Sequence, residues 1–236
     1  PTEEHLMLTK DTFDIVVVGG GPAGATAATE IAREGLSVML LDKDGRIKPC
    51  GGAIPPRLIR DFEIPDSQIV ARINSARIVS PSGREVDMPV GKGYVGMVDR
   101  EHFDEWLRAR AGEAGAERRS GSFESIQQEP DGCVTVVYQE KNGGKLGDLR
   151  RVKARAVVGA DGARSVVAEQ TMRNAERVPF VFAYHEIIKS PKKGSVPRFE
   201  DETCDVFYNG TMSPDFYAWV FPHGDTTSVG TGSANK

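Results

Sequence analysis

The stretch from Val16 to Ala28, VVVGGGPAGATAA, decides how this chain folds. An apolar run ends in three glycines, and a proline and a series of alanines follow. Phe13–Val18 is rich in β-branched residues and reads as a buried parallel strand. Gly19, Gly21 and Gly24 have G-x-G-x-x-G spacing. Pro22 suits the first turn of a helix, where its missing N–H costs nothing. Ala23, Ala25, Ala27 and Ala28 let that helix approach a sheet closely. GLSVMLLD (35–42) then predicts a second strand, ending in Asp42, 18 residues after Gly24.

Each part has a chemical reason. Gly19 permits the tight turn, Gly21 lets a pyrophosphate touch backbone, and Gly24 permits helix–strand contact. The helix N-terminus offers free N–H groups and partial positive charge to phosphates. Asp42 would accept hydrogen bonds from ribose hydroxyls, and its carboxylate would repel a 2′-phosphate. The plainer alternative is a βαβ turn whose glycines serve packing alone. Strand, helix, second strand and terminal acid together favour a dinucleotide cradle, for FAD or NAD.

Composition bounds the rest. The chain has 236 residues, 39% hydrophobic and 27% charged, enough for one large domain or two joined lobes. A net charge of −4 argues against a nucleic-acid partner. Cys50, Cys133 and Cys204 are too few and too far apart for a disulfide framework, and no CxxC pair suggests a metal. A reducing, cytoplasmic compartment fits best. PTEEHLMLTKDTF (1–13) lacks the layout of a signal peptide, and no apolar run approaches the roughly 18 residues of a membrane span. Any membrane contact would be peripheral.

Two later segments discriminate between cofactors. VDREHFDEWLRARAGEAGAE (98–117) predicts an amphipathic helix from about Arg100, with Phe103, Trp106, Leu107 and Ala111 on one face. ARAVVGADGARS (154–165) predicts a short buried strand ending at Asp161, where ribityl or ribose hydroxyls would lie. With the glycine turn, these segments resemble the FAD fold of the aromatic hydroxylase superfamily. KPCGGAIPPRLI (48–59) and YAWVFPHGDTTSVGTG (217–232) resemble the geranylgeranyl reductases within it, and GRIKPCGGAIPPRLIRDF (45–62) and RINSARIVSPSGREVDMP (72–89) most resemble the bacteriochlorophyll branch of phototrophic bacteria.

The resemblance implies roles residue by residue. Gly19, Gly21, Ala23, Gly24 and Asp42 would bind the ADP half of FAD. Arg100 would contact the cofactor, since a cation at a helix start is otherwise unfavourable. Phe123 would pass the adenine with its backbone, with core packing an equal alternative. Asp161 and Gly162 match the second flavin motif. Cys50, Gly51 and Gly52 would lie against the isoalloxazine edge, with Cys50 as a catalytic residue that positions substrate or flavin. Tyr217, Trp219 and Phe221, with Pro222, Gly230 and Gly232, would form an aromatic floor for a polyprenyl chain, an ordinary sheet core being the alternative. Burying such a tail gains on the order of ten kcal/mol gross, before immobilisation costs. His185 and His223 are given no catalytic role, and His5 and His102 are read as solvent-facing.

The expected architecture is α/β. A Rossmann-like FAD-binding domain with a β-meander takes residues 13–74 and 98–172, and an antiparallel substrate sheet takes 75–97 and 173–236. The Lys189, Lys192 and Lys193 loop is read as solvated. The family continues past this point with a third flavin motif and a helical region, so the chain reads as C-terminally incomplete. The implied activity is reduction of isolated prenyl double bonds by FAD, with NADPH docking transiently as reductant. The substrate would be a geranylgeranylated pigment or diphosphate, close to a photosynthetic membrane. The alternatives are a flavin monooxygenase, an archaeal-type lipid reductase and a non-catalytic flavin- or prenyl-lipid-binding module.

Overall fold

The computed structural model describes residues 12–43 and 50–234. His5 and the first two residues of the 48–59 segment lie outside them. The chain opens with β1 (Thr12–Val18), α1 (Pro22–Arg33) and β2 (Val38–Asp42). Then come β3 (Ala53–Ile54), α2 (Pro56–Asp61), β4 (Ala71–Ile73), β5 (Ser75–Val79), β6 (Glu85–Pro89) and β7 (Val95–Met97). After α3 (Arg100–Glu113) follow β8 (Glu117–Gln128), β9 (Val134–Asn142), β10 (Lys145–Gly159) and α4 (Val166–Thr171). The last strands are β11 (Phe182–Lys189), β12 (Thr203–Phe207), β13 (Ala218–His223) and β14 (Thr226–Ser233). Two compact units result: Pro1–Arg46 with Asp104–Val178, and Ile47–Phe103 with Pro179–Lys236.

In the first unit β1 pairs in parallel with both β2 and β10, and β2 pairs in parallel with β8. The outer strands β8 and β10 are unusually long, at 12 and 15 residues. Both outrun the parallel layer and pair antiparallel with β9, closing the ring β1-β10-β9-β8-β2. A register shift in each of the β8–β9 and β9–β10 pairings bends the ladder. Strand alternation sorts the side chains. Val16, Val18, Met39 and Leu41 pack with Phe123, Val136, Tyr138 and Val152 in one core, and α1 lies against β1 and β2. Gly24, Ala25, Ala28 and Thr29 are the buried helix residues, and the Thr29 hydroxyl donates back to the Ala25 carbonyl at 2.8 Å.

The second unit holds a six-stranded sheet in the order β11-β14-β13-β12-β5-β6 and a small sheet β3-β7-β4. Its pairings are antiparallel except β12 with β5, which is parallel. Its core gathers Ile73, Met97, Cys204, Trp219 and Phe221. Arg77 on β5, buried, ties three segments together. Its guanidinium donates to Glu200 at 2.5 Å, to Asp87 at 3.3 Å and to the Arg198 carbonyl at 3.1 Å, and lies 3.4 Å from Asp205. Burial pushes the Asp205 carboxyl up, against the pull of Arg77.

The α/β expectation holds, with a Rossmann-like βαβ core, a meander and a largely antiparallel second sheet. Two details differ. Residues 50–74 and 98–103 fall in the second unit, where β3 and β4 find their partner in β7. The strand read from residue 154 is only the end of β10, whose polar first half pairs with β9.

Candidate functional site

The glycine turn shows why each residue is small. Gly19 has φ +102°, and a Cβ there would stand 2.3 Å from the Ala160 carbonyl oxygen. A Cβ on Gly24 would meet the Gly19 carbonyl oxygen at 1.8 Å, so only glycine lets α1 start this close. Gly21 is different: nothing lies within 4 Å of its Cβ direction. It is the N-cap of α1, no side chain caps the helix, and Pro22 opens it. The N–H groups of Ala23 and Gly24 are thus left for a ligand at the positive end of a 12-residue helix, and Ala23 is exposed.

Asp42 ends β2 beside that turn. A Cβ on Gly20 would touch its carboxylate at 2.8 Å, so the second glycine makes room for the acid. Arg108, on α3, donates to Asp42 Oδ2 and to the Gly20 carbonyl, both at 3.2 Å. An uncapped helix start, an open glycine and a half-exposed carboxylate suit the diphosphate and ribose of an ADP moiety.

At the end of β10, Asp161 is occupied locally. Its Oδ2 accepts from the backbone N–H of Val166 at 2.7 Å and of Val167 at 3.2 Å, and Oδ1 accepts from the Ser165 hydroxyl. It therefore organises the start of α4, which Ser165 caps. Gly162 has φ +96°, a conformation that side chains disfavour. The Phe123 ring is buried opposite Tyr138 in the ring core.

The second unit holds the other group of candidates. Arg100 opens α3, whose start is fixed by Asp99: its Oδ1 accepts from the Glu101 N–H at 3.1 Å, and its carbonyl from the Phe103 N–H at 2.8 Å. His102 is exposed, as read, and lies 3.2 Å from Asp99. The Cys50-Gly51-Gly52 loop is pinned from two sides. His223 Nε2 meets the Gly51 carbonyl at 2.9 Å, and the Val98 N–H donates to the Gly52 carbonyl at 2.9 Å. Gly52 has φ +71°, and a Cβ on Gly51 would strike the Phe221 ring at 2.5 Å. Cys50 is half-buried, and its sulfur accepts from the Gly52 N–H at 3.5 Å. Burial holds the His223 imidazole below its ordinary value, against the Gly51 hydrogen bond.

The aromatic residues form a ladder. Phe216 stacks on Tyr217 at 4.1 Å, Tyr217 meets Trp219 at 6.1 Å, and Trp219 meets Phe221 at 6.2 Å. Trp219, Phe221 and Pro222 are buried, while Tyr217 is half-exposed. Gly230 and Gly232 make space for rings: a Cβ would stand 2.1 Å from Trp219 and 2.7 Å from Phe216. The Trp219 indole N–H donates to the Ser228 hydroxyl at 3.1 Å, and His185 Nδ1 lies 3.1 Å from the same oxygen. Burial, and after it the neighbouring Cys50, raises the Tyr217 phenol.

Sequence reasoning missed Gly20, Arg108, Ser165 and the pinning role of His223. Only Ser165 had a local signal, an N-cap serine before an apolar pair. The others act on residues far away in the chain.

Comparison with known proteins places this arrangement. The sequence profile described as pyridine nucleotide-disulphide oxidoreductase matches residues 13–196. The chain belongs to that family. Within the family it is a homologue of geranylgeranyl diphosphate reductases, as its motifs imply. It is 56% identical to the enzyme of that name from Rhodobacter capsulatus over 221 residues, 94% of this chain and 54% of the relative. It is 37% identical to the chloroplastic enzyme of Oryza sativa, over 93% of this chain and 48% of the relative. The chain thus spans about half the length of these relatives. Among solved structures, a geranylgeranyl bacteriochlorophyll reductase-like protein from Thermoplasma acidophilum superposes with a TM-score of 0.77 at 26% identity, over 95% of this chain and 57% of that one. No described helix is long and apolar enough to cross a membrane.

Proposed function

We propose that this chain is part of an FAD-dependent reductase that saturates the isolated double bonds of a geranylgeranyl group, with NADPH as the electron source. The observation that carries this reading is the 56% identity to a geranylgeranyl diphosphate reductase across 94% of the chain. The glycine turn supports it physically, because its uncapped helix start and Asp42 suit the ADP half of FAD. When bound and reduced by NADPH, the flavin would supply the two-electron reducing equivalent, and a proton delivered to the second alkene carbon would complete the saturation.

The chain's own residues bind and orient. The Ala23 and Gly24 N–H groups take the pyrophosphate, and Asp42 takes ribose hydroxyls. Arg100, Asp161, Gly162 and the backbone at Phe123 are assigned to the cofactor as well. Cys50 presents its thiol from a loop that Gly51, Gly52 and His223 hold in place, and we assign it to positioning the reactants. Trp219 and Phe221 are packed, so the face left for a hydrocarbon is the exposed end of the ladder, Tyr217 with Tyr208, 6.2 Å apart. Pro222, Gly230 and Gly232 then shape that face from behind. An unactivated alkene offers no carbonyl to delocalise charge, so placement and exclusion of water must lower the barrier.

The test is anaerobic incubation of the full-length protein with NADPH and either geranylgeranylated bacteriochlorophyll or geranylgeranyl diphosphate, followed by mass spectrometry. A mass gain in steps of two hydrogens is expected, and the substrate that shows it identifies the acceptor. Turnover that appears only with oxygen, with an oxygen atom added, would replace this reading by a monooxygenase.

A further inference from the structure

A carboxylate recognises two ribose hydroxyls only if it is held in one orientation. Asp42 is the last residue of β2, its backbone paired with Ser120 of β8, which leaves only its side chain to be oriented. Arg108, in the middle of α3, supplies the constraint. Its Nη1 bridges Asp42 Oδ2 and the Gly20 carbonyl at 3.2 Å each. Its Nε is held by Glu105 Oε2 at 2.9 Å, and the other Glu105 oxygen takes Arg118 Nη2 at 2.8 Å. The series Arg118–Glu105–Arg108–Asp42 links the more exposed Arg118 and Glu105, at 39% and 52%, to the less exposed Arg108 and Asp42, at 19% and 27%. Burial raises the Glu105 carboxyl, but the hydrogen bonds of Arg118 and Arg108 outweigh it and hold the group below its ordinary value. Glu105 therefore stays ionised and keeps its grip on Arg108. Oδ1 of Asp42 has no hydrogen bond among the described residues, which leaves it for a ligand.

We propose that Arg108, steered by Glu105, is a positioning residue for adenosine-ribose recognition: it pre-orients Asp42 and the Gly20 peptide, so that binding does not have to order them. This rests on the dinucleotide reading of the glycine turn. A lysine could not replace Arg108, because the contacts need Nε and Nη1 of one planar guanidinium.

The experiment titrates ADP into the full-length protein stripped of flavin, with Asp42→Asn, Arg108→Gln, Arg108→Lys, Glu105→Gln and the double variants with Asp42→Asn. Asp42→Asn is expected to weaken ADP. Arg108→Gln should weaken it about tenfold, the worth of one charge-assisted hydrogen bond. Arg108→Lys should not restore it, and the exposed Glu105→Gln should show a smaller loss in a protein of normal thermal midpoint. Each effect should shrink markedly in the Asp42→Asn background, where only the Gly20 contact is left to orient, which a merely structural role would not produce. If Asp42→Asn weakens ADP while Arg108→Gln leaves it unchanged, or costs as much without Asp42 as with it, the positioning role is wrong and the dinucleotide reading survives. If Asp42→Asn itself has no effect, the dinucleotide reading falls, and the positioning role with it.

Discussion

Cys204 lies on β12, only 6% exposed, and burial pushes its thiol up to about 12. A thiol of that kind is a packing group, since only the thiolate attacks. Cys50 and Cys133 are half-exposed. Iodoacetamide at mildly alkaline pH should therefore label Cys50 and Cys133 in the native protein and reach Cys204 only after denaturation, as peptide mass mapping would report. Native labelling of Cys204 would contradict its burial. His223 offers a second test at this scale. Its folded value lies below the ordinary 6.5, so the unfolded chain takes up the proton first. The stability it contributes is complete above about pH 6.5 and is lost as pH falls through the lower folded value, with a slope of at most about 1.4 kcal/mol per pH unit. His223→Gln keeps a donor for the Gly51 carbonyl and should flatten that part of the urea-midpoint profile. Equal slopes in both proteins would rule His223 out. The glycine turn was legible because glycines in fixed order between a strand and a helix mark a tight approach. Arg108 was not, because on a helical wheel it is one more cation on a polar face, and its partner Asp42 lies 66 residues away.

At the scale of elements, β5, β6 and β12 meet at Arg77, whose side chain is only 10% exposed. Arg77→Ala leaves Asp205 buried without its counter-charge and should cost about 3 kcal/mol in a urea titration. A loss below the uncertainty of that titration would mean that the cluster relaxes into solvent. The β13–β14 pair makes a sharper case. Gly230 faces Trp219 across the ladder, and Gly230→Ala would drive a methyl into the indole at a cost on the order of 2 kcal/mol. The same change in a Trp219→Leu background should cost less, because the ring is gone. Equal costs would show that the glycine serves the backbone instead. The alternation of Tyr217, Trp219 and Phe221 was readable as one face of a strand. What that face touches was not: a core ladder and a ligand floor share one pattern, and only the small residue opposite each ring tells them apart. The parallel pairing of β12 with β5 was equally hidden, because a strand's sequence carries no mark of its neighbour's direction.

At the scale of the whole molecule, a ligand that binds only the folded state raises its stability by mass action. That gain is about 2.7 kcal/mol at a hundredfold excess over Kd. The thermal midpoint of the full-length protein should rise with the logarithm of FAD concentration and stay flat with riboflavin, which lacks the ADP half. A midpoint indifferent to saturating FAD would remove the basis for the cradle. The α/β class was legible from local signals: the β-branched runs, the glycine turn and the helix from Arg100. The division into units was less so, since it depends on β3 and β4 choosing β7, a pairing between short strands with no periodic signature.

The long strands β8 and β10 have a consequence for how this chain meets other chains. By closing their ring they leave the five described strands of the first unit with no sheet edge at which a foreign strand could pair. The second sheet is open, ending in β6, exposed along its whole length, and in β11, with Tyr184 and Ile187 outward. Among the described strands, those of the second unit therefore present the edges at which strand exchange, templated aggregation or augmentation by an extended peptide can begin.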